Sequence, residues 1–322
     1  MFHWAAQVAK WPITGNAALS SARPADPGSE EALADANLRA LAAEPVVIRN
    51  PRGQRVPFIF SSPHSGRFYP LSFAQSSRLD AISLRRSEDA FVDELFDSVT
   101  ELGAPMICAR FPRAFVDANR APGELDPAMF DAPLNAVGPR SPRVAAGLGV
   151  IPRVVRDGLE IYGTRLPAGE AVFRLEHFYR PYHAALAALV EQTRAEFGVA
   201  VVIDCHSMPP PAKAHDIVLG DCYGEAAAPE LIGQMQRILS GLGFSVARNA
   251  PYAGGYTTHL YGRPHEGVHA IQVEVSRALY LDETLMEKSA GFASCRDRLR
   301  TFAAKLLAEA AVVLKTVRRA PR

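Results

Sequence analysis

Cysteine is scarce in this sequence, and the spacing of the cysteines does not fit a disulfide-stabilised or zinc-ribbon protein. The 322 residues include four cysteines, namely Cys108, Cys205, Cys222 and Cys295. They are far apart and form no C-x-x-C pair, which argues against a disulfide scaffold and against a zinc ribbon. The pattern is typical of a reducing compartment, so we expect a cytoplasmic protein.

An excess of one charge and long hydrophobic runs are also missing. The 35 Lys and Arg residues balance 34 Asp and Glu residues, for a formal net charge of +1, so nothing favours nucleic acid as a partner. No uncharged apolar run approaches the ~18 residues of a membrane span. The chain also lacks a P-loop, a G-x-G-x-x-G motif after a strand and a G-x-S-x-G nucleophile elbow. We therefore expect a small-molecule partner and neither nucleic acid nor membrane, while the oligomeric state stays open.

Strands and helices alternate along the chain, which predicts an α/β fold with a mostly parallel mixed sheet flanked by helices. Continuous β-branched runs indicate strands that are buried on both faces. The predicted strands include 56–60, 199–203 and 269–275, and the predicted helices include one capped by Ser87, one over 229–242 and one from about Asp282 to the end. We expect a single domain over 46–322. Residues 1–45 are predicted to be a poorly ordered or loosely docked extension, in which Glu30–Ala43 is a candidate short helix.

Acid/base and metal-ligating side chains lie in or just after three of the predicted strands. His64 follows the first, Asp204 and His206 follow the second, and Glu274 lies in the third. In open α/β sheets, ligands bind at the carboxyl ends of the strands. Two histidines and carboxylates that converge there would make a zinc site with two or three protein ligands and an open position for water.

Each of these residues also has an ordinary interpretation. His64 could be a surface histidine in a turn, and His206 could be a hydrogen-bonded core histidine. The third metal ligand is open between Glu88 and Asp89, because acids in the first turn of a helix already complement the helix dipole. Cys205 could be a thiol nucleophile, although a cysteine that ends a buried strand is usually only small and buried.

Residues suited to hold a substrate lie elsewhere. Arg120 and Arg277 offer planar guanidinium forks that match carboxylates, although solvated or paired arginines are the ordinary alternative. The stretch 254–264 mixes glycine, hydroxyl and aromatic residues. It predicts either a flexible substrate loop or an ordinary glycine-rich hairpin.

Six short blocks of sequence, taken together, resemble the N-formylglutamate amidohydrolases. They occur in that family's order and span roughly residues 55–285. The blocks are Ser62-Pro63-His64-Ser65-Gly66, Asp89-x-x-Val92-Asp93-Glu94-Leu95, Asp117-Ala118-Asn119-Arg120, Asp204-Cys205-His206-Ser207-Met208-Pro209, Gly254-Gly255-Tyr256-x-x-His259 and Gln272-Val273-Glu274-Val275-Ser276-Arg277-Ala278-Leu279-Tyr280.

The resemblance implies a fold and a metal centre. The fold would be phosphorylase/hydrolase-like, similar to that of zinc carboxypeptidases and aspartoacylase, with the metal at the edge of the sheet. His64, an acid and His206 would hold Zn2+, with Asp89 the best match for the acid and Glu88 the alternative. Another divalent metal in the same site is compatible with these ligands. Glu274 would be the general acid/base, and Asp204 could support a ligand histidine.

The resemblance also implies substrate contacts and an activity. Asn119 and Arg120 would grip the substrate α-carboxylate, and Tyr256 and His259 would contact the substrate. Arg277 would either bind a substrate carboxylate or orient the general base. The implied reaction is metal-dependent hydrolysis of the amide bond of an N-acyl amino acid, with N-formyl-L-glutamate, an intermediate of histidine degradation, as first choice. The alternatives are a related zinc hydrolase acting on another N-acyl amino acid or a carboxypeptidase-like substrate, a cysteine hydrolase, and a catalytically silent small-molecule-binding protein.

Overall fold

A computed structural model describes residues 30–50, 53–134, 137–155, 158–210 and 215–319 of the chain. Residues 1–29, most of the predicted N-terminal extension, lie outside the described residues. The rest of that extension begins with helix α1, Glu30–Ala43, whose bounds agree with the candidate helix in the sequence. The division into an extension and a single domain over 46–322 stays a prediction.

Seven strands of the described chain form one mixed sheet, which confirms the predicted fold class. The strands are β1 Val46–Arg49, β2 Phe58–Ser62, β3 Met106–Ala109, β4 Ala200–Met208, β5 Ile217–Gly220, β6 Val246–Arg248 and β7 Val268–Ser276, in the order β1-β3-β2-β4-β7-β5-β6. Strands β3, β2, β4 and β7 run parallel, whereas β5 pairs antiparallel with β7 and parallel with β6. Every residue of β2, β4 and β7 is buried, as expected for parallel strands covered on both faces.

Ten helices precede, separate and follow these strands along the described chain. They are α1, α2 Leu71–Ser76, α3 Ala81–Arg85, α4 Val92–Leu95, α5 Pro142–Ala145, α6 Ala168–Arg174, α7 Arg180–Phe197, α8 Pro229–Gly241, α9 Tyr256–Tyr261 and α10 Phe292–Arg319. A π-helical turn, Leu175–Tyr179, joins α6 to α7. Among the described helices, none combines the length and the apolar character needed to cross a membrane.

The described residues group into two compact units. The first contains the described residues up to Val47, with Gly66–Glu88 and Ala109–Ala185, and the second contains Ile48–Ser65, Asp89–Cys108 and the described residues from Leu186 onward. The first unit has an aromatic core in which Phe115 packs on Phe73 and Phe178, with ring centroids 5.2 and 5.1 Å apart. In the second unit the apolar side chains of β2, β4, β5 and β7 pack with those of α8 and α10.

Three local predictions were wrong. A helix capped by Ser87 does not form; the helix begins only at Val92, because Phe91 has a left-handed backbone, with φ of 61°. The C-terminal helix starts at Phe292, since the two short strands β8, Leu281–Asp282, and β9, Glu287–Lys288, pair before it. The stretch 254–264 is neither a flexible loop nor a hairpin, because it contains helix α9.

Candidate metal centre and active site

His64 and Asp89 are brought together by two irregular segments of the second unit. His64 lies two residues after the end of β2, and its backbone carbonyl accepts a hydrogen bond from the Asp89 amide at 3.0 Å. The Ser65 hydroxyl donates to the Asp89 carbonyl at 3.0 Å. The left-handed Phe91 then turns the chain into α4, so Asp89 lies outside any helix. Its carboxylate is therefore placed by these contacts rather than by a helical face.

His206 comes from the regular part of the fold. Strand β4 continues through it to Met208, and its register partner on β7 is Glu274. Paired residues of neighbouring strands project on the same face of a sheet, so Glu274 stands beside His206. The rings of His64 and His206 have centroids 4.8 Å apart. The structure thus brings together the predicted metal ligands and the predicted general base.

The His64, Asp89 and His206 side chains form a buried group of potential metal ligands. One ligand atom from each lies within 4.8 Å of the others. The Oδ2 atom of Asp89 is 3.2 Å from His64 Nδ1 and 2.9 Å from His206 Nδ1. Bonds of about 2.0–2.2 Å at tetrahedral angles would separate neighbouring ligand atoms by roughly 3.3–3.5 Å. The two distances from Asp89 are a few tenths of an ångström shorter, and all three ligand atoms lie within 4.8 Å of one another, so the donor set is compatible with a divalent metal.

The electrostatics of this group also favour a cation. Burial alone would raise the pKa of Asp89, but hydrogen bonds with His206 and His64 hold that pKa well below its ordinary value. Burial alone would lower the pKa of His206, but the carboxylates of Asp204 and Asp89 raise that pKa well above its ordinary value. The site therefore stabilises positive charge between its carboxylates.

Asp204 holds the ring of His206 from the side opposite Asp89. Its Oδ2 atom is 2.8 Å from His206 Nε2, and its Oδ1 atom accepts a hydrogen bond from the Ser61 hydroxyl at 2.8 Å. Asp204 is fully buried. A carboxylate on Nε2 leaves Nδ1 as the nitrogen that faces Asp89 and the metal position, which is the usual arrangement around a metal-bound histidine.

Arg277 contacts the same group through Asp89. Its Nη2 atom is 3.2 Å from Asp89 Oδ1, and its Nε donates to the Ser207 hydroxyl at 3.1 Å. Ser207 in turn donates to Asp89 Oδ1 at 3.3 Å. These two donors occupy Oδ1 of Asp89, while Oδ2 faces the two histidines. In the second unit Arg277 is therefore a partner of the candidate metal ligand Asp89, and its contact with a substrate carboxylate stays a prediction.

Glu274 is buried on β7, where Gln272 donates a hydrogen bond from Nε2 to Glu274 Oε1 at 2.7 Å. The two residues lie on the face of the sheet that also carries Asp204 and His206, their register partners on β4. A carboxylate held at the edge of a metal position is suited to move protons during hydrolysis.

Glu88 belongs to a separate arrangement in the first unit. Tyr69 donates to its Oε1 atom at 2.7 Å, and Arg85 donates to both carboxylate oxygens. Burial raises the pKa of Glu88, although Arg85 and Tyr69 oppose that shift. Among the described residues the potential ligand group contains Asp89 and not Glu88. The geometry therefore favours Asp89, the better match to the family motif.

Asn119 and Arg120 are also in the first unit, and both are buried. The backbone N–H of Asn119 donates to Asp117 Oδ1 at 2.9 Å, and Arg120 Nε donates to the Leu148 carbonyl at 3.1 Å. The Tyr179 hydroxyl donates to the Arg120 carbonyl at 2.8 Å. These contacts fix the backbone and the guanidinium of the predicted carboxylate clamp, whose role stays a prediction.

Three other sequence candidates lie in the second unit. Tyr256 is half-buried at the start of α9, and His259 is exposed on the same helix. Their predicted substrate contacts are not tested by the structure. Cys205 is fully buried, and burial raises the pKa of its thiol well above the ordinary value, which argues against a thiolate nucleophile.

Ser61, Ser207 and Gln272 were missed as functional candidates in the sequence. Each bonds to a residue that was predicted: Asp204, Asp89 and Glu274, respectively. A signal was present, because a buried strand that alternates Gln272 and Glu274 requires partners for both polar side chains. What the sequence does not contain is the register that places Gln272 and Glu274 beside Asp204 and His206 on β4.

Comparisons with a family model, with curated relatives and with a solved structure point to one family. The family model described as N-formylglutamate amidohydrolase matches residues 56–281. An N-formylglutamate deformylase of Pseudomonas putida is 30% identical over 242 residues, covering 71% of this chain and 84% of that protein. The corresponding protein of Pseudomonas aeruginosa is 30% identical over 239 residues, with the same coverage. The crystal structure of an N-formylglutamate amidohydrolase from Ralstonia eutropha superposes with a TM-score of 0.78 at 33% identity, covering 86% of this chain and 99% of that one. The chain therefore belongs to the N-formylglutamate amidohydrolase family, a family of hydrolases, as its motifs predict.

Proposed function

We propose that the protein hydrolyses the formyl amide of N-formyl-L-glutamate to formate and L-glutamate with the help of a bound metal. The observation that carries this proposal is the buried group of His64, Asp89 and His206, with Glu274 as the register partner of His206. The names of the family model and of the relatives support the choice of substrate.

Zinc is the metal that best suits the donor set of two imidazole nitrogens and one carboxylate, because hydrolytic zinc sites commonly have two histidines and an acid. His64 Nδ1, His206 Nδ1 and Asp89 Oδ2 would hold it. When bound, zinc supplies Lewis-acid polarisation of the substrate carbonyl and makes water more acidic. Asp204 keeps His206 in the tautomer that leaves Nδ1 available.

Glu274 carries the proton transfers. It removes a proton from the water that attacks the formyl carbon, and a carbon–oxygen bond forms. It then donates that proton to the amide nitrogen as the carbon–nitrogen bond breaks, which releases formate and the free amino group of glutamate. The same carboxylate therefore acts first as a base and then as an acid, and it is unprotonated again once the nitrogen has taken the proton. The formic acid product loses its own proton to solvent.

The substrate carboxylates require cationic or hydrogen-bonding partners. In this proposal Asn119 and Arg120 bind one of them. Arg120 would grip the α-carboxylate with its planar fork, and the Asn119 amide would add a hydrogen bond. Tyr256 and His259 are proposed to contact the rest of the substrate. An N-acyl amino acid is thus the small-molecule partner, and a cytoplasmic location remains the prediction made from the cysteine pattern.

The test is release of formate and glutamate from N-formyl-L-glutamate by the protein as purified, after chelation and after zinc is returned. Chelation should abolish release and zinc should restore it. Glu274→Gln should keep zinc and lose at least about 100-fold in kcat, whereas His206→Ala should lose zinc and activity together. Glu287→Gln, at an exposed position of β9, is the matched control. Absence of release in all three states, or a Glu274→Gln variant as active as the control, would refute the proposal.

A further inference from the structure

The side chain of Gln272 joins two parts of the second unit. Its Oε1 atom accepts a hydrogen bond from the Gly255 amide at 2.6 Å, and its Nε2 donates to Glu274 Oε1 at 2.7 Å. A backbone N–H only donates and a carboxylate only accepts, so both partners require the same orientation of the glutamine amide. The residue is buried, and both ends of the amide are paired.

The segment that Gln272 contacts is pressed against the sheet next to it. Gly220 on β5 is the register partner of Gln272. A Cβ atom on Gly220 would lie 2.7 Å from the Ala253 carbonyl carbon and 2.7 Å from the Gly254 nitrogen. Only glycine permits such an approach of two backbones. The chain therefore crosses β5 at this position and reaches Gln272 with the Gly255 amide.

Gly254 is constrained as well. Its φ of 128° is a conformation that favours glycine, and a Cβ atom there would lie 3.0 Å from Cys222 Sγ and 3.1 Å from Thr258 Cβ. Gly255 is the residue that precedes helix α9. The start of the helix that carries Tyr256 is therefore held by close backbone packing on one side and by Gln272 on the other.

The strand fixes the backbone of Glu274, whereas rotation of its carboxylate about the last side-chain bond is a soft torsion. A hydrogen bond to Oε1 selects one orientation of the carboxylate plane. Small errors in the placement of a catalytic group cost rate, with a displacement of about 1 Å lowering activity by about 100-fold. An amide that is itself anchored to Gly255 is thus a rigid support for this carboxylate.

We propose that Gln272 is a positioning residue that orients the Glu274 carboxylate and ties it to the Gly254–Tyr256 segment. The inference rests on the proposed role of Glu274 as general acid/base. Gln272 does not touch the substrate in this proposal; it acts through Glu274 and through Gly255.

Gln272→Met tests this assignment, because methionine has similar length and lacks the amide. The matched control is Gln234→Met, at a second buried glutamine, which lies on α8 and bonds to Glu309 at 2.7 Å. We expect kcat of Gln272→Met on N-formyl-L-glutamate to fall by about 10–100-fold. The KM and the zinc content should stay within about twofold of the wild-type values, as should the kcat of the control.

A double-mutant cycle separates this role from a general structural one. If Gln272 acts through Glu274, then Gln272→Met should change the residual kcat of Glu274→Gln by less than about twofold. A kcat of Gln272→Met within about twofold of wild type, or equal fold-losses in the presence and absence of Glu274, would overturn the proposal.

Amide hydrogen exchange tests the same contact without activity. In Gln272→Met the Gly255 amide loses its acceptor, so hydrogen exchange in a peptide covering residues 253–261 should be about tenfold faster at its slowest amide. The same peptide should show no change in Gln234→Met. Unchanged exchange in Gln272→Met would overturn the tie. If the wild type proves inactive on N-formyl-L-glutamate while exchange rises as expected, the proposed function fails and the tie to Gly255 stands.

Discussion

Replacing Asp204 with asparagine should weaken zinc binding by removing charge at nearly constant shape. In the structure Asp204 Oδ2 lies 2.8 Å from His206 Nε2, and Oδ1 accepts from Ser61 Oγ at 2.8 Å. An asparagine can keep both contacts, with its oxygen on Nε2–H and its amide donating to Ser61. What is lost is the negative charge that makes the bond to the histidine charge-assisted.

The expected magnitude follows from that difference. A hydrogen bond to a charged group contributes about 1–1.5 kcal/mol more than a neutral one, and 1.4 kcal/mol is a factor of ten in affinity. We therefore expect the zinc Kd of Asp204→Asn to rise by about tenfold. Asp204→Ala, which also leaves Nε2 without its carboxylate partner, should raise the Kd by about 100-fold, the upper end for residues that support metal ligands.

Competition with a chromophoric chelator, starting from metal-free protein, measures this Kd directly. Asp221→Asn is the matched control, because Asp221 is another fully buried aspartate of the second unit, bonded to Arg248 and Asn249. It should lower the free energy of unfolding while the zinc Kd stays within about twofold. A Kd of Asp204→Asn equal to that of this control would refute the reasoning that Asp204 supports a metal ligand.

Further predictions concern the rest of the second unit. Arg277→Met should raise the zinc Kd by about tenfold, because its partner Asp89 loses a charged donor; an unchanged Kd with a raised KM would instead favour the alternative that Arg277 binds a substrate carboxylate. Burial lowers the pKa of His269 to about 4, so the folded protein binds fewer protons than the unfolded chain as the pH falls from about 6.5 to about 4, and stability declines across that window. His269→Gln should remove up to about 3 kcal/mol of this decline in urea unfolding, and identical pH dependence in the two proteins would contradict it. Phe302→Ala, at a fully buried position of α10, should lower the unfolding free energy by about 3–5 kcal/mol, while Lys305→Ala, at an exposed position of the same helix, should change it by less than about 0.5 kcal/mol.

The sequence predicts well the parts of the fold in which burial is continuous along a strand or recurs with the period of a helix. The β-branched run before Asp204 and the run around Glu274 are both fully buried strands in the structure. The pattern of helix α8 also predicts its position to within a residue. In the two strands every residue is buried, and in α8 the buried residues recur at helical spacing, so local pattern and tertiary environment agree.

Predictions failed where a backbone conformation or a distant pairing decides the structure. Because Phe91 has a left-handed backbone, the helix that Ser87 was expected to cap begins only after Phe91. Nothing in the apolar spacing around Phe91 indicates such a φ. Because β8 pairs with β9, the last helix begins at residue 292 rather than near residue 282. From residue 292 onward the helix follows the predicted apolar pattern. Turn geometry and pairing depend on contacts that a periodic pattern does not encode.

The candidate site also has features that the sequence indicates and features that depend on tertiary contacts. By itself the sequence determined the family, the α/β class and the candidate residues for the proposed metal binding and proton transfer, because ordered motifs and strand ends carry that information. Tertiary structure decided that Asp89, which the motif already favoured over Glu88, lies against His64 and His206, and that Arg277 and Gln272 bond to other candidate site residues. These outcomes depend on strand register and on close approach between segments more than 100 residues apart, such as Asp89 and His206, and a contact of that kind exists only once the sheet has formed.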